Sequence, residues 1–123
     1  MKRSEFREYV VTLLYTNSIG GDFEKADYEQ EIIDRYLEVL SHVEEINKVI
    51  SSNLIGYTID RLNLVDLGII QHCVYEMMFT DLPFEIAMNE AINLTKKLSN
   101  LDDDAAKRFN NKLLDNIKRS LIK

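Results

Sequence analysis

The chain has a single cysteine, a single proline, four glycines and two histidines in 123 residues. Each scarcity removes a class of protein. One cysteine, Cys73, cannot close an internal disulfide, and flanked by Ile70, Val74 and Met77 it reads as core filling in a reducing, cytoplasmic setting. So little glycine and proline leaves few turns for a sheet protein, whose hairpins use both. The predicted class is all-α. Long apolar runs are also missing. No stretch approaches the roughly 18 uncharged apolar residues a membrane span needs, and the N-terminal Met-Lys-Arg-Ser-Glu-Phe-Arg-Glu has no apolar centre of the signal-peptide kind. Neither export nor membrane insertion is expected.

Catalytic and metal-binding patterns are scarce as well. His42 and His72 stand thirty positions apart, each with one carboxylate at helical-neighbour spacing, Glu45 and Glu76. No second His or Cys follows either at the third or fourth position, which falls short of the three protein ligands a zinc site normally needs. Gly20-Gly21 lacks the Lys-Ser/Thr of a phosphate loop and reads as a helix stop, and there is no Gly-x-Ser-x-Gly elbow. The acidic residues are spread along amphipathic helices, so they are read as solvated surface and not as paired carboxylates facing a cleft. No enzymatic activity, metal or cofactor is expected.

What is present is an ordinary globular composition, 46% hydrophobic and 29% charged, of a size that suits one domain over residues 1–123. The net charge of −6 argues against indiscriminate nucleic-acid binding, but its distribution is uneven. Residues 105–123 carry Lys107, Arg108, Lys112, Lys118, Arg119 and Lys123 against Asp115 alone, a net +5. Residues 1–8 carry Lys2, Arg3 and Arg7 against Glu5 and Glu8, a net +1, which leaves −12 between the two segments. Both ends are basic and the middle is acidic.

Apolar spacing predicts six or seven helices around one core. Phe6, Val10, Leu13 and Leu14 mark a helix over residues 4–17. Asp22 is the expected cap of a second, whose apolar side holds Tyr28, Ile32, Ile33, Tyr36, Leu37 and Leu40. A shorter helix from about Glu44 carries Ile46, Val49, Ile50 and Leu54, and Gly56 interrupts it. From Asn63 to Phe79 apolar residues occupy nearly every side, the mark of a central buried helix, with Asn63 and Asp66 resembling a capping box. Pro83 suits the first turn of the next helix, which carries Phe84, Ile86, Ala87, Ala91, Ile92, Leu94 and Leu98 and ends near Asn100. The last begins at Asp102-Asp103-Asp104 and ends in Lys118, Arg119 and Lys123, as the helix dipole favours. Its stripe is Ala106, Phe109, Leu113, Ile117 and Leu121.

Glu76 stands out because it sits on the most apolar helix, where a charge needs a partner. It reads either as half of an internal ion pair, with His72, Lys96 or Arg61 as candidates, or as a contact for another protein.

Tyr75-Glu76 followed by Leu82-Pro83-Phe84-Glu85-Ile86-Ala87-Met88-Asn89-Glu90-Ala91 and Lys96-Lys97 resembles the NusB transcription antitermination family, whose members read Tyr-Glu, then Pro and a short apolar run into Asn-Glu-Ala and an Ala-Lys pair. Phe109-Asn110-Asn111-Lys112-Leu113-Leu114-Asp115 is similar to the family's Phe-Val-Asn-Gly-Val-Leu-Asp. Arg3-Ser4-Glu5-Phe6-Arg7-Glu8 leading to Leu14-Tyr15 is similar to its Arg-x-x-Ala-Arg-Glu leading to Leu-Tyr. The resemblance spans the chain in order. It implies a fold of two packed helical subdomains around a shared core and a role in the transcription elongation complex, where family members pair with the small-subunit ribosomal protein NusE and bind single-stranded boxA RNA. It further implies that Glu76 faces NusE, and that Arg3 and Arg7 with Phe109 and Asn111 lie toward RNA; the charge count of the two basic ends adds Lys2, Lys107, Arg108 and Lys112 to that surface, the cations on phosphates and an aromatic on a splayed base. Phe109 also falls on the apolar stripe, which is the core reading. This chain departs from the family pattern in its reduced basic start, in Gln71 where Arg is common, and in Asn110 and Lys112 where the family has Val and Gly. Two other functions remain as alternatives: a protein-interaction module of the same fold that has lost RNA recognition, and the RNA-delivery region attached to some ribosomal RNA methyltransferases, which the end of the chain at Lys123 disfavours.

Overall fold

Local chemistry sets most of the helix ends. In a computed structural model that describes residues 1–99 and 103–122, six α-helices and two short 3-10 turns are present among the described residues, with no strand. The first helix, α1 (Arg3–Ser18), stops where Gly20 takes φ +74°. The Gly20 N–H donates to the Asn17 carbonyl (3.1 Å) and the Gly21 N–H to that of Thr16 (2.9 Å), the paired bonds of a Schellman stop. The second, α2 (Gln30–Ser41), begins well after Asp22. Asp22 is therefore not its cap. The chain first makes a 3-10 turn at Lys25–Asp27, and Phe23 then packs edge-on against Tyr28 and Tyr36, with ring centroids 5.7 and 5.4 Å apart.

The third helix is α3 (Val43–Ser52), and a second 3-10 turn, Ile59–Arg61, leads to α4 (Leu64–Phe79). Asn63 caps α4 as expected, its Oδ1 accepting from the N–H groups of Val65 (2.9 Å) and Asp66 (3.3 Å). Pro83 sits one position earlier than predicted, as the N-cap of α5 (Phe84–Leu98), in an extended conformation. The last helix is α6 (Asp103–Leu121). The predicted ends at Asn100, Asp102 and Lys123 lie outside the described residues.

The centre is α4, where every residue from Gly68 to Met77 is buried. It touches all five other helices. Around it α1 packs on α2, α2 on α3, α3 on α6 and α6 on α5, and ion pairs close the circuit between α5 and α1, Lys97 to Glu8 (2.7 Å) and Arg7 to Glu90 (4.0 Å). Gly68 faces the Val11 carbonyl and the Leu14 side chain while Glu76 meets Arg7, so α1 and α4 run antiparallel. Ile69, Ile70 and Val74 from α4 join Val10, Leu13, Ile32, Ile50, Ala91, Leu114 and Ile117 in one continuous core, and each large aliphatic contributes roughly 1.5–3 kcal/mol on burial. Two residues predicted for the core, Leu37 and Ile86, are exposed, because the predicted stripes are wider than the faces that actually meet α4.

Candidate nucleic-acid interface and buried ion cluster

The chemistry inside the fold gathers around Glu76, whose carboxylate is 3% exposed. Its hydrogen-bonded partner is Arg7, from α1, and of the three candidates only His72 stands near it, at 3.7 Å. Arg7 Nε donates to Glu76 Oε1 (2.9 Å) and Oε2 (3.2 Å), and Nη2 donates to Oε2 (2.9 Å). Arg35 from α2 stands 3.6 Å from Oε2 and over the rings of Phe6 and Tyr75. A buried bidentate pair with a second guanidinium beside it is a charge-assisted lock between three helices. Burial works to raise the Glu76 carboxyl, and the hydrogen bonds of Arg7, with the charges of His72, Arg7 and Arg35, overcome it and hold the group below its ordinary range.

His72 completes the cluster and is fully buried. Its Nε2 lies 3.2 Å from Arg35 Nη1. Since a guanidinium only donates, Nε2 accepts and the ring proton sits on Nδ1, facing Glu76 Oε1 at 3.7 Å. Burial pushes the imidazole down to about 4, against the pull of Glu76. Cys73, next along the helix, is buried too, and burial pushes its thiol up, which leaves it an inert core residue.

Two site expectations are corrected by this arrangement. Arg7 is 5% exposed and holds Glu76, so its guanidinium does not face an RNA ligand; Glu76 is buried by the same contact and does not face a protein partner. A signal for Arg7 was present in the sequence, because it precedes Val10, Val11 and Leu14 by three, four and seven positions and so shares their face. The other named residues are on the surface or near it. Lys2 is exposed; Arg3 is exposed, pairs with Glu31, and lies with its guanidinium 4.0 Å above Phe6. On α6, Arg108, Asn111 and Lys112 are exposed on one face at spacings of three and four, while Lys107 and Phe109 are half-buried. Phe109 packs against the core and meets Tyr57 edge-on, centroids 5.6 Å apart. Between the two basic segments stands α5, which packs on α6 and is tied to α1 by the Lys97–Glu8 pair.

The Asn110 that replaces valine is buried, and its Nδ2 donates to Thr95 Oγ1 (3.0 Å) and Asp66 Oδ1 (3.3 Å). Thr95 gives its own proton to the Ala91 carbonyl (2.9 Å), so it can only accept from Asn110, which fixes the amide. Both amide protons are then used and Asn110 Oδ1 has no partner among the described residues. Burial pushes the Asp66 carboxyl up, and the Asn110 bond opposes it. Asp66 therefore serves a buried polar contact and not the reciprocal half of a capping box.

The sequence profile described as the NusB family matches residues 22–119. The chain belongs to the NusB family. A relative from Bacillus licheniformis named transcription antitermination protein NusB is 34% identical over 132 aligned residues, covering 98% of this chain and 99% of its own. Among solved structures, T. maritima NusB superposes with a TM-score of 0.81 at 22% identity over 97% of this chain and 92% of that one. A chain from the crystal structure of antitermination factors NusB and NusE in complex with dsRNA does so with a TM-score of 0.78 at 22% identity, covering 96% of each. These likenesses bear out the all-helical NusB-like fold that the motifs implied. In this NusB-family chain the Tyr-Glu motif on α4 and the basic-aromatic start on α1 meet inside the protein, where they join two helices.

Proposed function

We propose that this chain is a NusB-type transcription antitermination factor that binds boxA-like single-stranded RNA together with NusE and acts, without catalysis, in the transcription elongation complex of the cytoplasm. The observation that carries the reading is family membership along the chain: a relative matching end to end is named an antitermination protein, and a solved relative is held with NusE and RNA. The exposed α6 face of Arg108, Asn111 and Lys112 supplies cations and an amide for RNA, with Lys2, Arg3 and Lys107 as further contacts; Arg7 is withdrawn from the set. No residue of the NusE surface is assigned, since Glu76 is inside. The reading treats residues 1–123 as one working unit, because the core draws on all six helices. Among the described residues no helix is long and apolar enough to cross a membrane, and no three His, Cys, Asp or Glu side chains group as metal ligands.

The test is binding of boxA-like RNA across a salt series with and without NusE. Three to five phosphate contacts give a log-log slope of roughly −2 to −3.5 on a single strand. Absent binding in both cases, or binding indifferent to salt, overturns the reading. A second reading, a NusB-fold interaction module without RNA recognition, is favoured by one observation: three of the cations around α1 are already matched, Arg7 by Glu76, Arg3 by Glu31 and Lys97 by Glu8. Equal affinity for boxA-like and scrambled RNA selects it.

A further inference from the structure

A cleft of about 260 Å³ opens between α6 and the segment that follows α3. Gly56, at φ +76° with open space around it, turns this segment outward, so that Tyr57 is 52% exposed. Phe109 also lines the cleft and meets the Tyr57 ring edge-on at an interplanar angle of 70°. Leu54 and Leu113 also line the cleft, and Asn53, Lys112 and Asn116 supply its polar groups. The Asn53 amide donates to the Val49 carbonyl (2.8 Å) and to Ser120 Oγ (3.2 Å), which leaves its Oδ1 as an acceptor. Behind the aromatic pair lies a second cavity of about 150 Å³, also lined by Tyr57 and Phe109, with Arg61 and Asp66. The Arg61 guanidinium lies 6.0 Å from the Tyr57 ring centre.

We propose that this cleft is a stacking subsite for one unpaired base of the bound RNA, with Tyr57 as the ring the base lies on, Phe109 as its supporting wall, and Lys112 on the adjoining phosphate. The inference rests on the RNA-binding reading above and adds a residue, Tyr57, that lies outside the motifs of the family resemblance. Size and charge select the occupant. The cleft falls below the roughly 300–1,000 Å³ of pockets that enclose drug-sized ligands, so it takes a single ring system and not a helix face. Its walls are aromatic and aliphatic, its rim carries an acceptor and a cation, and Arg108 and Arg61 lie on the same two segments, opposed by Asp60 and Asp115. Aromatic stacking with flanking cations is how single-stranded RNA bases are held. Phe109 is half-buried against the core and offers mainly an edge; the accessible ring is that of Tyr57.

The experiment uses the full chain with NusE and a short boxA-like single-stranded RNA, with 2-aminopurine placed at each position in turn. The expected result is quenching at one position with the natural chain and none there with Tyr57→Ala. That variant binds the RNA about tenfold or more weakly, whereas Tyr57→Phe, which keeps the ring, restores both readouts. The salt slope is unchanged in Tyr57→Ala, because a ring neutralises no phosphate, and is shallower by about 0.7 in Lys112→Ala. The melting temperature of Tyr57→Ala confirms folding. If Tyr57→Ala binds RNA as tightly as the natural chain, or weakens only the binding of NusE, the subsite is wrong while the RNA-binding reading stands. If the natural chain with NusE binds no RNA, that reading fails first and the subsite falls with it.

Discussion

Replacing Glu76 with glutamine keeps the shape of the side chain and removes its charge. In the folded chain this leaves Arg7, 5% exposed, with only the more distant Glu90 (4.0 Å) as a counter-charge, and Arg35 beside it with one fewer acceptor. Removing one partner of a buried ion pair costs about 3–5 kcal/mol, most of it the penalty of an unpaired buried cation. For a chain of 123 residues the entropy of unfolding near the midpoint is about 260 cal/mol/K, so each kcal/mol moves the midpoint by about 4 °C. Glu76→Gln should therefore melt roughly 12–19 °C lower, followed by circular dichroism at the helix band and by urea titration. The double variant Arg7→Met with Glu76→Leu should recover more than half of the loss, because a well-packed apolar pair needs no compensation for desolvation. A Glu76→Gln chain with natural stability and weakened NusE binding would show that the carboxylate works outward and that the buried pair is not what holds α1 to α4.

Stability should also depend on pH through His72. Its folded value, about 4, lies below the ordinary 6.5, so the unfolded chain takes up a proton that the folded chain refuses. Stability then falls as pH drops from 6.5 to 4, by about 3 kcal/mol at most, and His72→Gln should flatten that limb; an unchanged profile refutes it. Glu76, held below its ordinary 4.5, adds further loss only at the acid end of this range. Gly20→Ala should cost about 1 kcal/mol, since φ is +74° and no neighbour crowds the site. Gly68→Ala should be neutral or stabilise by up to about 1 kcal/mol, because the new Cβ meets Val11 and Leu14 at ordinary contact distances of 3.5–3.7 Å inside a helix. Urea melts of both variants distinguish the backbone effect from the packing effect. The Cys73 thiol should resist a thiol-reactive dye in the native chain and react once urea unfolds it; prompt native labelling would contradict its burial.

Periodicity and punctuation alone were sufficient for the helices. Apolar residues at intervals of three and four, Asn63 ahead of α4 and glycine after α1 are local signals, and local hydrogen bonding obeys them. The same information placed α4 at the centre, because a helix apolar on nearly every side can be satisfied only by neighbours all round. Where a local signal had a competitor it failed: Asp22 could cap a helix, but Phe23, Tyr28 and Tyr36 gained more by packing together, and α2 began later.

Partnerships across the chain were decided by the tertiary structure. Arg7 and Glu76 are 69 positions apart, and nothing at their own positions says that antiparallel packing at Gly68 and Val11 will bring them together. That one contact turned two residues expected on binding surfaces into the lock between α1 and α4. Tyr57 and Phe109 likewise acquire a cleft only because α3 and α6 meet around α4. Residue type determines which groups need a partner, and in a packed interior the geometry of the helices selects which partner arrives.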